Sequence, residues 1–268
     1  IVIVIVKLGI NVNSGLLFIF LSVTLITLLI IFKIKSNIYK NIFNYKVRLK
    51  KGIILYSFPF FLFSLLNVFR ENIEIIFSPI YIEFSEVSIL KIYLQFAMII
   101  SYSLMAVNVS QSVKISKALK LNQPHIIEKI LLKGMIFSLS IASLIIIFYV
   151  LFFKNILIIF YDFEEYIDLL PFGLFVLSQL FYVFVGPFGQ ILLLSGYTKI
   201  IIIGNILSML IFILLLALLG SNYNLLGISV STLMSNIFLH SYYYLYSKKI
   251  LKINHPIHSL NGLIIFKK

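Results

Sequence analysis

Neither cysteine nor tryptophan occurs among the 268 residues. Without cysteine there is no disulfide, no thiolate metal site and no thiol nucleophile, and the redox compartment leaves no trace. Without tryptophan, the aromatic belts of a membrane protein fall to Tyr and Phe alone. Acid is scarce too, with nine Asp and Glu against 22 Lys and Arg. Only 12% of residues are charged and 61% are hydrophobic, at a mean hydropathy of +1.10. Soluble domains carry about a quarter charged residues, so an ordinary soluble fold is excluded. What remains is an all-α, polytopic transmembrane bundle. The net charge of +13 suggests nucleic acid at first sight, but basic residues held in short loops between apolar runs are explained by membrane orientation; no nucleic-acid partner is expected.

The chain opens on Ile1-Val2-Ile3-Val4-Ile5-Val6, with no basic n-region and no small-residue cleavage site. It reads as the tail of a truncated helix rather than a signal peptide, and an upstream portion is expected to be missing. A span needs about 20 apolar residues. Seven candidates follow: Leu16 to Phe32, Ile53 to Phe69, Ile89 to Val109, Met135 to Phe153, Leu169 to Leu194, Ile200 to Leu219 and Leu225 to Tyr246. The loops between them alternate in charge. Lys33 to Lys51 holds seven basic residues and no acid, whereas Arg70 to Glu86 carries four acids; Lys114 to Lys133 is basic again and Asp162 to Asp168 acidic. Cytoplasmic loops hold the excess of Lys and Arg, which predicts the N-terminus outside and the C-terminus inside. The domains expected are a remnant over 1–34, a basic amphipathic linker over 35–52, six helices over 53–247 and a basic cytoplasmic tail over 248–268.

Two basic segments carry amphipathic patterns. Ile38, Ile42, Tyr45 and Leu49 form one helical stripe among lysines, as in an interfacial helix. Ser110 to Lys133, interrupted at Asn122-Gln123-Pro124, predicts two short helices and a turn. Both are read first as resting on anionic lipid. Pro59 predicts a kink in the second span, and Pro171 suits a first helical turn. The most informative stretch is Gly186 to Asn205. Pro187, between Gly186 and Gly189, removes an N–H and crowds the Val183 carbonyl, so the helix should bend there. Ser195-Gly196-Tyr197 then marks a turn, and the two glycines should admit another backbone.

Polar groups inside a bilayer face a bundle interior or a wet cavity. Asn67, Lys91, Gln95, Asn108, Gln179, Gln190, Asn205, Asn236 and His240 qualify. Lys91, one turn from Gln95, either holds an anionic headgroup or snorkels outward beside Glu83 or Glu86. Asn67, Asn205 and Asn236 read as interhelical hydrogen-bonding groups. Arg70, Glu71 and Glu74 read as a solvated helix end, with a proton-coupling carboxylate as the sharper alternative. His125 reads as a surface residue. His255 and His258 lack a third ligand for a metal, and no phosphate loop, carboxylate pair or nucleophile elbow is present. Neither an enzyme nor a metal or other cofactor is expected.

In order and spacing, Phe58-Pro59 with Ser64-Leu65-Leu66-Asn67, Glu86-Val87-Ser88-Ile89, Ala106-Val107-Asn108 with Lys114-Ile115-Ser116, and Gly186-Pro187-Phe188-Gly189 through Ser195-Gly196-Tyr197 resemble the C-terminal half of the polysaccharide biosynthesis protein family. These are lipid-linked oligosaccharide flippases related to the multidrug and toxin extrusion transporters. The resemblance implies a six-helix second lobe preceded by one first-lobe helix, in a bacterial inner membrane. It implies export of an undecaprenyl-pyrophosphate-linked saccharide by rocking of two lobes, with the missing N-terminal lobe, membrane lipid and glycan polymerase or glycosyltransferase machinery as partners. Lys91, Gln95, Asn67 and Gln190 would line the substrate site, Pro59, Gly186, Pro187 and Gly189 would form flexure points, and Glu74 best matches the family's coupling carboxylate. Arg70 and Glu71 beside it depart from the family pattern. A drug or cation antiporter would want a carboxylate buried in the lobe. A membrane-embedded polymerase or acyltransferase would want a large outer loop or a buried catalytic His; the outer loops are short, and the sequence places His240 near the cytoplasmic end of the last span.

Overall fold

A computed structural model describes residues 52–161 and 168–257 of the chain. The predicted first span, the remnant over 1–34, the linker stripe from Ile38 to Leu49, the acids Asp162, Glu164 and Glu165, and His258 lie outside the described residues. Within them the chain is helical, with no strand. In order come α1 (Gly52–Glu71), α2 (Ile73–Phe77), a 3-10 turn (Ser78–Ile80), α3 (Phe84–Lys120), α4 (Pro124–Tyr161), α5 (Leu170–Val185), α6 (Phe188–Leu194) and α7 (Thr198–Leu251).

Three of these helices, α3, α4 and α7, are long and apolar enough to cross a membrane, and the bent pair α5 and α6 makes a fourth. The 54 residues of α7 would run about 80 Å at about 1.5 Å per residue, far beyond any bilayer. Asn224 resolves this with φ 46° and ψ −124°, outside the helical region. There the helix folds back on itself. Tyr243 on the second limb donates its hydroxyl to the Ile201 carbonyl at 3.1 Å on the first, and a Cβ on Gly227 would lie 2.5 Å from the Leu219 carbonyl oxygen. The limbs over 198–223 and 225–251 thus correspond to the last two predicted spans, with the uncharged turn between them.

The predicted short amphipathic helices over Ser110 to Lys133 are instead the continuous ends of α3 and α4, which bury Ile115, Ala118, Ile127 and Leu131 in an apolar cluster with α6 and α7. The turn joining them is as expected. Gln123 N–H bonds the Ala118 carbonyl at 3.0 Å and Asn122 N–H that of Leu119 at 3.1 Å, with Asn122 left-handed at φ 52°. That pairing closes a helix and reverses the chain. The Ser195-Gly196-Tyr197 turn repeats it, Tyr197 N–H bonding Leu192 and Gly196 N–H bonding Leu193, with Gly196 at φ 82°.

At the opposite end, aromatic rings lock α3, α4 and α5 together. Phe153 stacks on Phe172 at 3.7 Å with planes 8° apart, and Tyr93, Phe96 and Tyr149 pack around them. Each such pair adds about 0.5–1.5 kcal/mol beyond the area it buries. Tyr93 and Tyr149 spend their hydroxyls on the carbonyls of Asp168 and Phe96, at 2.9 and 2.7 Å, so the cluster buries no unpaired phenol. Pro171 sits in the first turn of α5, as its fixed φ favours.

Two expectations change. The helix is continuous through Pro59 and breaks farther along, at Asn72 (φ −117°, ψ 5°). The predicted bend at Pro187 is instead a full break: Gly186 stands at φ 95°, ψ −178°, Pro187 at φ −85°, ψ 45°, and α5 and α6 meet at 48°. Phe188 N–H bonds the Gly186 carbonyl at 3.0 Å, an inverse γ-turn centred on the proline.

Candidate functional site

The register of α1 against α7 decides where the charges lie. Asn205 on the first limb of α7 donates Nδ2 to Asn67 Oδ1 at 2.9 Å. One turn beyond Asn67, Arg70 Nη2 donates to Asn236 Oδ1, and Asn236 in turn donates Nδ2 to Ser178 Oγ of α5 at 2.6 Å. Asn236 is in the middle of the limb over 225–251, about 18 Å from the Asn224 break at about 1.5 Å per residue. Arg70 is therefore at mid-height of the bundle. The reading of Arg70, Glu71 and Glu74 as a solvated helix end holds for Glu71, exposed where α1 ends, and changes for Arg70 and Glu74, which are half-buried: α1 stops halfway, and α2 with the 3-10 turn carries the chain to the far end. The sequence held the signal, because apolar residues continue past the charges through Ile73, Ile75, Ile76, Phe77 and Ile82.

Around Arg70 opens a cavity of about 340 Å³, lined by α1, α2, α3, α5, α6 and both limbs of α7. Four predicted substrate residues, Asn67, Lys91, Gln95 and Gln190, line it together, as do Glu74, Pro187 and Gly189. Lys91 and Gln95 are exposed on its open side, while Glu74 is half-buried. Gly186 is not part of its wall. Gly189 has a different role from the one expected. A Cβ there would lie 3.0 Å from the ring of Tyr243, and one on Gly204 2.7 Å from the same ring. The two glycines make room for an aromatic ring, not for another backbone.

The wall holds two cations, Arg70 and Lys91, and two carboxylates, Glu71 and Glu74. None of the four is ion-paired within 4.0 Å; among the described residues the one such pair is His125 with Glu128. Arg70 thus spends its guanidinium on a neutral amide and keeps its charge. Gln179, Ser178, Tyr182 and His240 complete the polar wall, with the His240 ring stacked on Tyr182 at 4.3 Å. His240 is one turn from Asn236, deeper than the sequence placed it. Asn108 faces elsewhere, in a small gap beside Gly134 and Gly186. Among the described residues no cluster of three metal-ligating side chains forms.

Chemically, this is a polar pocket inside an apolar bundle, able to hold an anion on Arg70 and Lys91 or a cation on Glu74. Amides and hydroxyls stand ready for a polar, uncharged body. Compared with known protein families, curated proteins and solved structures, the chain matches none.

Proposed function

We propose that this chain is the second lobe of a membrane transporter that moves an anionic, lipid-linked saccharide, of the undecaprenyl-pyrophosphate class, across a bacterial inner membrane. The observation that carries the reading is Arg70. It is a guanidinium at mid-height of an apolar bundle, fixed by the neutral Asn236 amide and facing a cavity it shares with Lys91. A charge at that depth is costly unless it has work to do, and a diphosphate is the ligand two such cations suit. The amides of Asn67, Gln179 and Gln190 suit sugar hydroxyls, and a prenyl tail can stay in lipid. In this reading α1 with α2, α3, α4, α5 with α6, and the two limbs of α7 are six spans. The Asn122 and Gly196 turns face the cytoplasm, and Lys91 and Gln95 face the other lobe. The protein works without chemistry of its own, as a carrier and not an enzyme.

A drug or cation antiporter is the second reading. It needs a carboxylate buried in the lobe, and Glu74, half-buried in the cavity wall, supplies one. Reconstitution of the full-length protein in liposomes separates the two. The flippase reading expects translocation of an undecaprenyl-pyrophosphate oligosaccharide and no drug-driven proton exchange, and the reverse pattern would replace it with the antiporter.

A further inference from the structure

The break between α5 and α6 leaves backbone groups to be satisfied. In an unbroken helix the Phe184 carbonyl would accept from Phe188 N–H, but that N–H turns to Gly186. The donor comes from the far end of the chain. Lys252, left-handed at φ 55°, ends α7 and turns the backbone, and His255 then brings Nε2 to 3.2 Å from the Phe184 carbonyl. Its Nδ1 accepts from Ile257 N–H at 3.4 Å, which makes Nε2 the protonated nitrogen and the donor. The imidazole is seated between rings, 5.4 Å from Phe184 and edge-on to Tyr244 at 5.7 Å.

The same short segment is fastened to a third helix. Asn254 donates its N–H and its Nδ2 to Glu128 Oε1 of α4, at 2.7 and 3.2 Å, while Ile253 is fully buried beside them. Pro256 is buried too and closes a small gap against Gly186, Pro187 and Gly134. The tail therefore touches both sides of the problem: the carbonyl freed by the break, and the residues that make it.

We propose that Ile253–Pro256 is a clasp on the Gly186–Pro187 joint, holding the α5–α6 angle and releasing when that angle changes. Any movement of α5 at the joint carries the Phe184 carbonyl away from His255. His255 cannot follow while Asn254 is tied to Glu128. Tail and joint therefore move as one unit, and detachment of the tail sets the joint free. This inference is independent of what the cavity carries.

The lack of cysteine makes the test direct. Spin labels on L177C and L194C, both exposed and on opposite sides of the break, report the joint by electron–electron distance measurement in the full chain. Labels on Y102C and L144C, exposed on α3 and α4, report the rest of the bundle. His255→Ala should broaden the joint distribution and leave the α3–α4 distribution unchanged, and His255→Gln, which can still donate to the carbonyl, should restore it. Asn254→Ala keeps its backbone bond and should broaden it less. An unchanged joint distribution overturns the clasp. So does equal broadening of both pairs, because the tail would then staple the whole bundle.

Discussion

Asn67 and Asn205 are joined side chain to side chain at 2.9 Å, and Tyr243 caps the pair, its single hydroxyl proton shared between Asn205 Oδ1 at 3.0 Å and the Ile201 carbonyl at 3.1 Å. The two bonds together fix the Asn205 carboxamide, nitrogen toward Asn67 and oxygen toward Tyr243. They tie α1 to both limbs of α7, and the register they impose carries Arg70 to Asn236. A small network one helical turn from Arg70 thus decides the depth of the charges in the middle of the bundle.

The first prediction concerns that network. Asn205→Leu leaves the Asn67 carboxamide without its partner, while the Tyr243 hydroxyl keeps the Ile201 carbonyl, a cost of about 1–3 kcal/mol. Tyr243→Phe removes only one member and still fills the space between Gly189 and Gly204. Unfolding in mixed micelles should rank the variants wild type, Tyr243→Phe, Asn205→Leu in falling stability, and an Asn205→Leu protein as stable as wild type would mean that packing alone sets the register.

The positions of the helices could be read because apolar runs and breaker residues are local signals. The Asn122 and Gly196 turns were predicted at the residues where the chain reverses, and the uncharged stretch after Leu219 contains the Asn224 break. The depth of Arg70 could not be read that way. Ending a span at the first charge is sound when the charge meets water, but here Asn236, 166 positions away, receives it. The tail posed the same difficulty: the H-x-x-H pattern of His255 and His258 raised a metal question, whereas His255 meets a carbonyl that only a broken helix exposes. Polar candidates other than Asn108, by contrast, share one cavity, because amides in apolar helices have few other places to go.

The second prediction separates glycine from proline at the break. Gly186 adopts φ 95° with ψ −178°, a region closed to residues with a Cβ, although nothing is within 4 Å of where that Cβ would be. The penalty for Gly186→Ala is thus conformational, about 1–3 kcal/mol. Pro187→Ala keeps an accessible φ and should cost less while leaving the break in place. Thermal unfolding in detergent checks the ranking; a larger loss for Pro187→Ala would assign the break to the proline.

A third prediction tests the sidedness proposed for the bundle. Asn122 and Tyr223 are exposed at opposite ends, and single cysteines at these positions are the sole thiols in the chain. An impermeant maleimide applied to intact cells should label Tyr223→Cys and reach Asn122→Cys only after permeabilisation. Labelling of both from one side would break the alternation of basic and acidic loops on which the orientation rests.

The last prediction returns to the cavity. If Arg70 binds the charged part of the cargo, Arg70→Gln removes one charge-assisted interaction of about 1.5–3 kcal/mol, which corresponds to a loss of about 10- to 100-fold in binding or transport. Arg70→Lys keeps the charge but loses the planar fork and should recover part of it. Asn236→Ala leaves the guanidinium in place but unfixed, so it should lower transport less than Arg70→Gln. Lys91→Ala removes the second cation from the open side of the cavity. Purified variants of the full-length protein, matched for unfolding temperature and assayed for lipid-linked oligosaccharide translocation, give the order. Full transport by a well-folded Arg70→Gln protein would leave the mid-height charge as an element of helix registration, fixed on Asn236 for structure and not for cargo.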